Sequence, residues 1–381
     1  MSQRKRVLFV ATVVKTHIME FHLPYLKMFK EMGWETVVAA RNDFENKSDC
    51  IIPYCDEYYD IHFERNPLKF KNIKAYKNLK AIINDGGYNI IHCHTPVGAM
   101  LTRLAGKKAR KSGTKIIYTA HGFHFYKGAP VINWLIYYPV EKWLAHYTDV
   151  LITINKEDYE RAKSFKAGKV VYVPGVGIDL NKFNKDKSYA STDLLKEHGI
   201  RKEFGIPSDA KVILSVGEVN KNKNHVLGIE ALAKLKNKNV FYVICGRGPL
   251  INDYKLLAHK LGVSERVIFA GYRTDVIDFY YEADVFLFPS LREGLSVAVM
   301  EAMAMGVPVI CNAIRGNTDL IDDKVSGLLI NNQIDELVKA VQELIYNDEL
   351  RDKIICAERK KVERFGFKNV SEMMRKVYEQ G

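Results

Sequence analysis

The stretch DVFLFPSLREGLSVAVMEAMAMGVPVICN, residues 284–312, contains the unit on which the fold prediction rests. It opens with an apolar run that ends at Ser290, continues through the turn LREG, and then shows a helical stretch from about Leu295 to Gly306. A second apolar run, VPVICN, follows directly. Strand, helix and strand in this order predict two parallel strands joined by a helical crossover.

Strand-like apolar runs alternate with amphipathic helical stretches along the rest of the chain. The runs are nearly continuous in Val, Ile and Leu, which is typical of parallel strands buried on both faces. The predicted strands are RVLFVAT, ETVVAAR, NIIHCHT, KIIYTA, DVLITI and VVYVP in the first half, and KVILSVG, VFYVICG, RVIFAGY, DVFLFPS, VPVICN and GLLI in the second. Between the first two strands, EFHLPYLKMFKEMG predicts a helix that ends at Gly33.

A polar segment rich in Pro and Gly, VPGVGIDLNKFNKDKSYASTD (173–193), separates the two series of strands. We therefore predict two Rossmann-like, doubly wound α/β domains over residues 1–178 and 179–365, with the segment 366–381 returning to the first domain. Open parallel sheets bind ligands at the carboxyl ends of their strands. We expect the two domains to face a cleft that holds the substrates.

The charge of the chain is distributed unevenly between its halves. Residues 1–178 contain 27 Lys and Arg against 16 Asp and Glu, whereas residues 179–381 contain 30 against 29. This asymmetry predicts an anionic partner for the first half, either a membrane surface or a nucleic acid. No apolar stretch reaches the length of a membrane span, and the N-terminus lacks the long apolar segment of a signal peptide. Six scattered cysteines without a C-x-x-C pair indicate a reducing compartment, so we predict a cytoplasmic location.

Two basic segments account for much of the excess charge. Four lysines recur at helical spacing in KNIKAYKNLKAII (71–83), and TRLAGKKARKSGTK (102–115) adds five basic residues before its last lysine. Such faces bind anionic lipid head groups, although a solvated helix face is the alternative interpretation. The aromatic residues of VINWLIYYPVEKWLAHY (131–147) suit either a membrane interface or plain packing between elements. We expect peripheral attachment to the inner face of the cell membrane.

Several kinds of site are excluded by their missing motifs. No G-x-G-x-x-G follows a strand, no Walker P-loop is present, and there is no D-x-D pair for a metal-bound diphosphate. In HCH (92–94) the two histidines point to the same side of a strand, but the sequence shows no further ligand cluster beside them. We therefore do not predict a zinc site.

Glu293 and Glu301 are the two acidic residues in an otherwise apolar stretch. A helical spacing of eight separates two residues by about 12 Å and about 80°, so they cannot share one helix face. Free N–H groups at a helix start near Leu295 would bind a phosphate, with one carboxylate on either side to accept hydrogen bonds from sugar hydroxyls. This arrangement suits a nucleotide sugar. The alternative is that Glu301 is a solvated helix residue, but its neighbours are almost all apolar or small.

With these segments in place, the chain resembles the retaining glycosyltransferases of family 4, which have the two-domain GT-B fold. PSLREGLSVAVMEAMAMGVPVI (289–310) resembles their signature of two glutamates separated by seven residues. YTAHGF resembles the family's histidine loop, VPGVGID its interdomain linker, SVGEVNKNKNH its diphosphate loop, and GRGP and FAGYRTDV the segments around the base. The resemblance covers nearly the whole chain and is greatest to enzymes that build capsular polysaccharide, exopolysaccharide or lipid-linked glycans.

The resemblance implies roles for ten residues. Glu301 would accept hydrogen bonds from the ribose, Glu293 would hold hydroxyls of the donor sugar, and Lys223 would neutralise the departing diphosphate. His121 would line the reaction centre near the anomeric carbon; a hydrogen-bonded histidine closing a strand is the alternative, and the neighbouring His124 is a weaker candidate. The remaining candidates for nucleotide-sugar binding are the turn residue Gly294, the amides of Leu295 and Ser296, Arg247 and Arg273 near the base, and Lys15.

Two of these segments depart from the family pattern. Glu218 stands where many members have an arginine, and either Lys221 or Arg247 is a candidate to supply the missing positive charge. The glycine-rich turn after the first strand is replaced by TVVKTHIMEF, in which Lys15 either approaches the diphosphate or acceptor or is an ordinary loop lysine.

The resemblance implies transfer of a hexose or N-acetylhexosamine, with retained configuration and without a metal. The expected donor is a UDP-sugar, which binds the second domain. The expected acceptor is a growing, polyprenyl-diphosphate-linked glycan, which binds the first. A UDP-sugar epimerase of the same fold, acting without an acceptor, is the alternative function. A nucleic-acid-binding protein would explain the basic first half but leaves the two glutamates unexplained, so we expect no nucleic-acid partner.

Overall fold

The computed structural model describes residues 4–185 and 199–380, and it divides the chain into two compact units. Unit 1 comprises Met1–Val176 and Val370–Gly381, and unit 2 comprises Gly177–Asn369. The boundary predicted from the sequence, after residue 178, lies two residues beyond this division.

The sheet of unit 1 has seven parallel strands. They are β1 (Arg6–Val13), β2 (Glu35–Arg41), β3 (Glu57–Asp60), β4 (Ile90–His94), β5 (Lys115–Ala120), β6 (Val150–Thr153) and β7 (Lys169–Tyr172). Their order in the sheet is β3-β2-β1-β4-β5-β6-β7. Six of the seven coincide with predicted strands. The seventh, β3, was not predicted because it is a short edge strand with the polar sequence EYYD.

Helices cover both faces of this sheet, and the apolar side chains explain their placement. The helices are α1 (Met19–Phe21), α2 (Leu23–Glu31), α3 (Lys71–Asp85), α4 (Pro96–Ala105), α5 (Lys107–Lys111), α6 (Val131–Leu144) and α7 (Lys156–Ala162). In β1, Val7 and Phe9 face one helical layer while Leu8 and Val10 face the other, and all four are fully buried. This double burial is what the continuous apolar runs predicted.

Unit 2 repeats the architecture with six parallel strands. They are β8 (Lys211–Val216), β9 (Val240–Cys245), β10 (Val267–Gly271), β11 (Val285–Phe288), β12 (Val309–Asn312) and β13 (Leu328–Ile330). Their order in the sheet is β10-β9-β8-β11-β12-β13. The helices of this unit are α8 (Ile200–Phe204), α9 (Val226–Lys234), α10 (Ile251–Lys260), α11 (Val276–Glu282), α12 (Val297–Met305), α13 (Asn317–Leu320), α14 (Ile334–Tyr346) and α15 (Asp348–Val362).

The last helix, α16 (Phe367–Gln380), begins in unit 2 and lies mainly in unit 1. Its apolar face buries Val370, Met374, Val377 and Tyr378 in the core of unit 1. The Tyr378 ring packs 4.6 Å from that of Phe29, measured between centroids.

Each sheet changes the direction of strand addition once, between β1 and β4 in unit 1 and between β8 and β11 in unit 2. In a doubly wound sheet, the loops at the carboxyl ends of these two strands form the crevice in which ligands bind. The predicted fold class, two Rossmann-like parallel-sheet domains, is confirmed. Ligand sites are therefore expected at the two switch points.

The basic surface predicted for the first half is only partly present. The lysines of α3 are exposed, as predicted for a solvated or membrane-facing helix side. Arg103, counted in the second basic segment, is instead buried, with a side-chain exposure of 1%. Two of its guanidinium nitrogens donate to Glu141 at 2.8 and 3.1 Å. Its assignment to the basic surface was therefore wrong, because it lies on the inner face of α4.

Helix α6 has an aromatic inner side and an aliphatic outer side. Trp134 and Tyr138 pack 5.8 and 5.3 Å from the ring of Phe125, measured between centroids, which agrees with the plain-packing interpretation. Val131 and Leu135 are 73% and 69% exposed. Within residues 4–185 and 199–380, no helix combines the length and the apolar character that crossing a membrane requires.

Candidate functional site

Lys223 and Glu293 form an ion pair at the switch point of unit 2. Lys223 lies in the loop after β8 and Glu293 in the loop after β11, and Lys223 Nζ is 2.8 Å from Glu293 Oε1. The side chains are 22% and 15% exposed, so the pair is better shielded from water than an ordinary surface ion pair. The ammonium group also lies 4.5 Å from the centre of the Phe288 ring. Of the three residues predicted to be catalytic, His121, Lys223 and Glu293, the structure thus brings Lys223 and Glu293 together.

Asparagine side chains hold these two loops in place. The carbonyl of Asn222 accepts a hydrogen bond from the amide of Leu291 (2.8 Å), and its side chain donates to the carbonyl of Arg292 (3.0 Å). Asn224 adopts a left-handed backbone with φ of 55° and donates to the carbonyl of Pro289 at 3.1 Å. Asparagine tolerates this left-handed conformation better than most residues, so its place in the loop suits the turn that positions Lys223.

Helix α12 begins at Val297, four residues after Glu293. Ser296 is the N-cap residue, and its hydroxyl accepts a hydrogen bond from the amide of Val299 at 3.4 Å. Helix geometry leaves the amides of the first turn without intrahelical acceptors, and the helix dipole adds partial positive charge there. The predicted amides of Leu295 and Ser296 lie immediately before this turn, so this end of α12 can bind a phosphate group.

The loop after β12 packs against the turn LREG and shapes its backbone. A Cβ atom on Gly316 would lie 2.2 Å from the carbonyl oxygen of Gly294, so only glycine fits at this approach. The neighbouring Arg315 donates from Nε to the carbonyl of Glu293 at 3.1 Å. Arg315 was not selected from the sequence, although its position after a central strand is a signal that would have found it.

Glu301 lies on α12, and the buried Tyr280 fixes one side of its carboxylate. The Tyr280 hydroxyl donates to Glu301 Oε2 at 3.0 Å. Burial raises the pKa of Tyr280 well above its ordinary value, so the hydroxyl stays protonated and remains a donor. Tyr280 was missed in the sequence analysis because nothing in its segment FYYEADV indicates which helix it faces.

The two arginines predicted near the base have different surroundings. Arg273 forms ion pairs with Glu203 (2.7 Å) and Asp275 (2.6 Å), and its hydrogen bond lowers the pKa of Asp275. Arg247 is exposed, with its guanidinium 6.0 Å from the ring centre of Tyr272. Arg273 is therefore occupied by carboxylates, and nucleotide binding by either arginine stays a prediction.

The loop after β8 contains Glu218, which stands where many family members have an arginine, and Lys221, a candidate to supply the missing positive charge. Glu218 and Lys221 are both exposed. The expectation that Lys221 or Arg247 supplies the missing positive charge therefore stays open.

Four histidines converge at the switch point of unit 1. His94 ends β4, His121 follows β5, and His17 and His22 lie in the segment after β1. Each offers one ring nitrogen, and these four nitrogens lie within 4.8 Å of one another. The view that no ligand cluster accompanies HCH was wrong, because the partners come from distant segments that meet at the carboxyl edge of the sheet.

His22 and His94 are fully buried, His17 and His121 are half-buried, and all four rings are uncharged at neutral pH. Burial lowers the pKa of His121 to about 4 and those of His22 and His94 well below their ordinary value. His92, on the same strand, hydrogen-bonds at both ring nitrogens, with Thr119 Oγ1 at 2.8 Å and the Tyr378 hydroxyl at 2.9 Å. His92 is therefore a satisfied core residue. The role of His121 at the reaction centre stays a prediction.

Lys15 lies in the loop that leads to this cluster. Its backbone amide donates to Asp43 at 2.6 Å, and its exposed ammonium lies 5.5 Å from the ring centre of Phe44. Beside the loop, unit 1 contains a cavity of about 540 Å³. Its largely apolar lining includes Phe123 and Tyr137 together with the polar groups of His17, His124 and Glu141.

Comparison with known proteins identifies the family. A model described as "Glycosyl transferase 4-like" matches residues 6–155, and one described as "Glycosyl transferases group 1" matches residues 197–361. EpsD of Bacillus subtilis (strain 168), named as a glycosyltransferase, is 41% identical over 379 residues, covering 98% of this chain and 96% of that protein. The chain belongs to the family 4 glycosyltransferases. The recognition made from the sequence is confirmed.

A second relative of this glycosyltransferase is the UDP-Gal:alpha-D-GlcNAc-diphosphoundecaprenol alpha-1,3-galactosyltransferase of Escherichia coli. It is 30% identical over 287 residues, which cover 73% of this chain and 71% of that protein. The crystal structure of Anabaena Alr3699/HepE in complex with UDP and glucose matches with a TM-score of 0.79 at 18% identity. The structural match covers 99% of the present chain and 100% of the Anabaena chain, which confirms the GT-B fold.

Proposed function

We propose that this glycosyltransferase transfers a hexose or N-acetylhexosamine from a UDP-sugar to a growing, polyprenyl-diphosphate-linked glycan of an exopolysaccharide or capsule. The anomeric configuration would be retained and no metal would be required for transfer. The observation that carries the proposal is the Lys223–Glu293 pair beside the start of α12, at the switch point of unit 2.

The donor would bind unit 2 through groups of complementary charge. Its β-phosphate would meet the amides of Leu295 and Ser296, where the helix dipole favours an anion. Glu301, oriented by Tyr280, would accept hydrogen bonds from the ribose hydroxyls. Glu293 would do the same for the transferred sugar. Carboxylates suit hydroxyl donors because each oxygen accepts more than one hydrogen bond.

The same groups would favour departure of the diphosphate. Breaking the bond to the anomeric carbon develops negative charge on the leaving oxygen, and fixed cations and dipoles stabilise that charge without reorganisation. Lys223 is held by Glu293 and Phe288, so its ammonium is already positioned. Because Glu293 is paired with Lys223, we do not assign it as the nucleophile. We propose front-face attack in which the leaving phosphate takes the proton of the acceptor hydroxyl.

Relatives support the choice of donor and acceptor. The E. coli relative is named for transfer from UDP-Gal to a GlcNAc-diphosphoundecaprenol, and the Anabaena structure contains UDP and glucose. We assign the acceptor to unit 1, where the apolar wall of the 540 Å³ cavity includes Phe123 and Tyr137. Its polar groups, such as Glu141, would face the hydroxyls of the glycan.

We also propose that unit 1 attaches to the inner, anionic face of the membrane. The exposed lysines of α3 would contact lipid head groups, at about 1 kcal/mol per residue near the surface. The exposed aliphatic residues Val131 and Leu135 of α6 would enter the interface. A polyprenyl-linked acceptor is itself anchored in a membrane, so this attachment would bring the enzyme to its acceptor.

Substitution of Glu301 tests the proposed donor site. We expect Glu301→Ala to weaken UDP-sugar binding about tenfold to a hundredfold, since hydrogen bonds to a charged group contribute roughly 1.5–3 kcal/mol. Isothermal titration calorimetry against a panel of UDP-, GDP- and dTDP-sugars would measure this change and rank the donors. Glu343→Ala, at an exposed helix position of the same unit, is the control. Equal affinities of Glu301→Ala and wild type would refute the assignment.

Incubation with the donor alone separates transfer from epimerisation. We expect the UDP-sugar to stay unchanged without an acceptor and to release UDP when a lipid-linked glycan is added. Appearance of an epimeric sugar in the sample without acceptor would favour the epimerase instead.

A further inference from the structure

The four histidines that converge in unit 1 include buried ring nitrogens without hydrogen-bond partners among the described residues, which the proposed binding of the acceptor to unit 1 does not explain. We propose that His17, His22, His94 and His121 form a binding site for one divalent transition-metal ion of the zinc type. The transfer chemistry proposed above does not use such an ion, and metal ligation by His121 is an alternative to the role at the reaction centre predicted for that residue.

Several ring nitrogens of the cluster are buried and lack a hydrogen-bond partner among the described residues. Neither ring nitrogen of His22 has a hydrogen-bond partner within the described residues, and the same holds for Nε2 of His17 and of His94. Buried polar atoms are nearly always satisfied, and an unsatisfied one costs about 1–3 kcal/mol. His92, two residues before His94 on the same strand, has both ring nitrogens hydrogen-bonded. The unpaired nitrogens therefore indicate a ligand for the cluster.

The protonation state of the rings favours a cation over an anion. Burial lowers the pKa of each of the four histidines, so the rings are neutral at pH 7 and present lone pairs. A neutral ring offers a phosphate only one N–H donor and no charge, and several imidazolium groups within 5 Å would repel one another. Neutral imidazole is a preferred ligand of zinc, cobalt, nickel and copper, whereas magnesium and calcium prefer oxygen atoms.

The spacing of the rings is compatible with one ion after a small adjustment. Tetrahedral zinc with Zn–N distances of about 2.0–2.1 Å places ligand nitrogens about 3.3 Å apart. His94 Nδ1 and His121 Nε2 form a long hydrogen bond at 3.4 Å, a separation close to that of two zinc ligands, and one ring nitrogen from each of the four histidines lies within 4.8 Å of the others. The rings of His22 and His94 are nearly stacked, with centroids 3.7 Å apart, so one of them must turn. A cavity of about 10 Å³, close to the minimum that one water needs, adjoins both rings.

The surrounding fold supports the ligands. The cluster occupies the switch point between β1 and β4, where a doubly wound sheet binds its ligand. His94 is fixed at the end of a buried strand and is followed by Thr95, whose positive φ of 62° is strained for a β-branched residue. Such strain marks positions that a fold maintains for a function.

Metal titration of the full chain tests the proposal. The protein would be freed of any affinity tag, dialysed against a chelator and titrated with Co²⁺, followed by visible absorption, and with Zn²⁺, followed by calorimetry. We expect one equivalent of either ion to bind, and Co²⁺ to show the absorption of a four-coordinate site. We expect His22→Phe to weaken binding at least about tenfold, since even outer-shell changes cost 10–100-fold. His62→Phe, at an exposed histidine of the same unit, should bind as wild type does.

A second variant and a folding measurement keep the result interpretable. His17→Leu removes a different, half-buried ligand and should weaken binding similarly, while thermal unfolding of both variants shows whether unit 1 is intact. Absence of stoichiometric binding to the wild type at micromolar Zn²⁺, or equal affinities of wild type and both folded variants, would overturn the proposal. Because the titration contains no sugar donor, its outcome does not depend on whether the proposed transfer is correct.

Discussion

At the scale of single residues, the ammonium group of Lys223 is held in a fixed position at the switch point of unit 2. Its ammonium contacts the Glu293 carboxylate at 2.8 Å and the face of the Phe288 ring at 4.5 Å. These contacts restrict a side chain that would otherwise lose considerable rotamer freedom on binding a phosphate. The residue is therefore preorganised for an anionic ligand.

Removal of this charge should affect turnover strongly. We expect Lys223→Met to lower kcat roughly 10²–10³-fold, which is the loss typical of removing one group that stabilises developing negative charge. Release of UDP during transfer would measure kcat. Lys238→Met, at an exposed lysine of the same unit, should retain wild-type turnover. Similar kcat values for both variants would show that Lys223 does not act on the leaving group.

His225, two residues further along the loop, should make unit 2 sensitive to acid. Burial lowers its folded pKa to about 4, against about 6.5 in an unfolded chain. The unfolded state therefore binds the extra proton first, and stability falls as the pH drops from 6.5 to 4. The loss amounts to roughly 3 kcal/mol.

This loss should be absent from a variant that cannot titrate at position 225. Urea unfolding at pH 7.5 and pH 4 would compare wild type with His225→Gln, and the wild type should lose roughly 3 kcal/mol more than the variant. Parallel pH profiles of the two proteins would contradict the prediction.

Helices α4 and α6 are joined by the buried pair of Arg103 and Glu141. The guanidinium also lies 4.2 Å from the ring centre of Tyr118, so it is surrounded by protein on all sides. Removal of one member of a buried ion pair leaves the other as an uncompensated charge.

We expect Arg103→Met to destabilise unit 1 by about 3–5 kcal/mol. The double variant Arg103→Met/Glu141→Leu removes both charges and should recover most of this loss. Chemical denaturation of the two variants would measure the difference. Equal stabilities of the single and double variants would show that the unpaired Glu141 is not the cause.

Most elements of the fold were predictable because a buried parallel strand needs a continuous apolar run. The exceptions are local. β3 has only one neighbouring strand and a polar sequence, and the helix predicted over residues 20–33 is interrupted at His22. Boundaries near Ser296 depended on cap geometry, which shifted the start of α12 to Val297.

The candidate site was predictable only where a motif fixes positions along the chain. Glu293 and Glu301 belong to such a motif. Tyr280 and Arg315 do not, because their contacts depend on which loops become neighbours in the sheet. The histidine cluster was missed for the same reason, since its members lie on segments separated by up to about a hundred residues.

Across the whole molecule, the net positive charge is concentrated in the half that we propose to attach to the membrane. We expect the protein to bind anionic vesicles and to be released by salt, because screening weakens such attraction. Lys74→Glu/Lys77→Glu, on the exposed side of α3, should weaken binding at least about tenfold.

The matched control makes the same change of charge elsewhere. Lys236→Glu/Lys238→Glu alters exposed lysines of unit 2 and should leave vesicle binding nearly unchanged. Vesicle sedimentation at several salt concentrations would measure both variants. Equal loss of vesicle binding in the two variants would show that net charge alone governs binding and would contradict the role of α3.

Helix α16 has a consequence for how the protein is made. Val370, Met374, Val377 and Tyr378 complete the core of unit 1, yet the ribosome reaches them only after all of unit 2. At about 5–20 residues per second, that interval lasts roughly 10–40 s. Throughout it, the part of one apolar sheet face that α16 covers stays exposed, so unit 1 completes its core only after unit 2 has been synthesised.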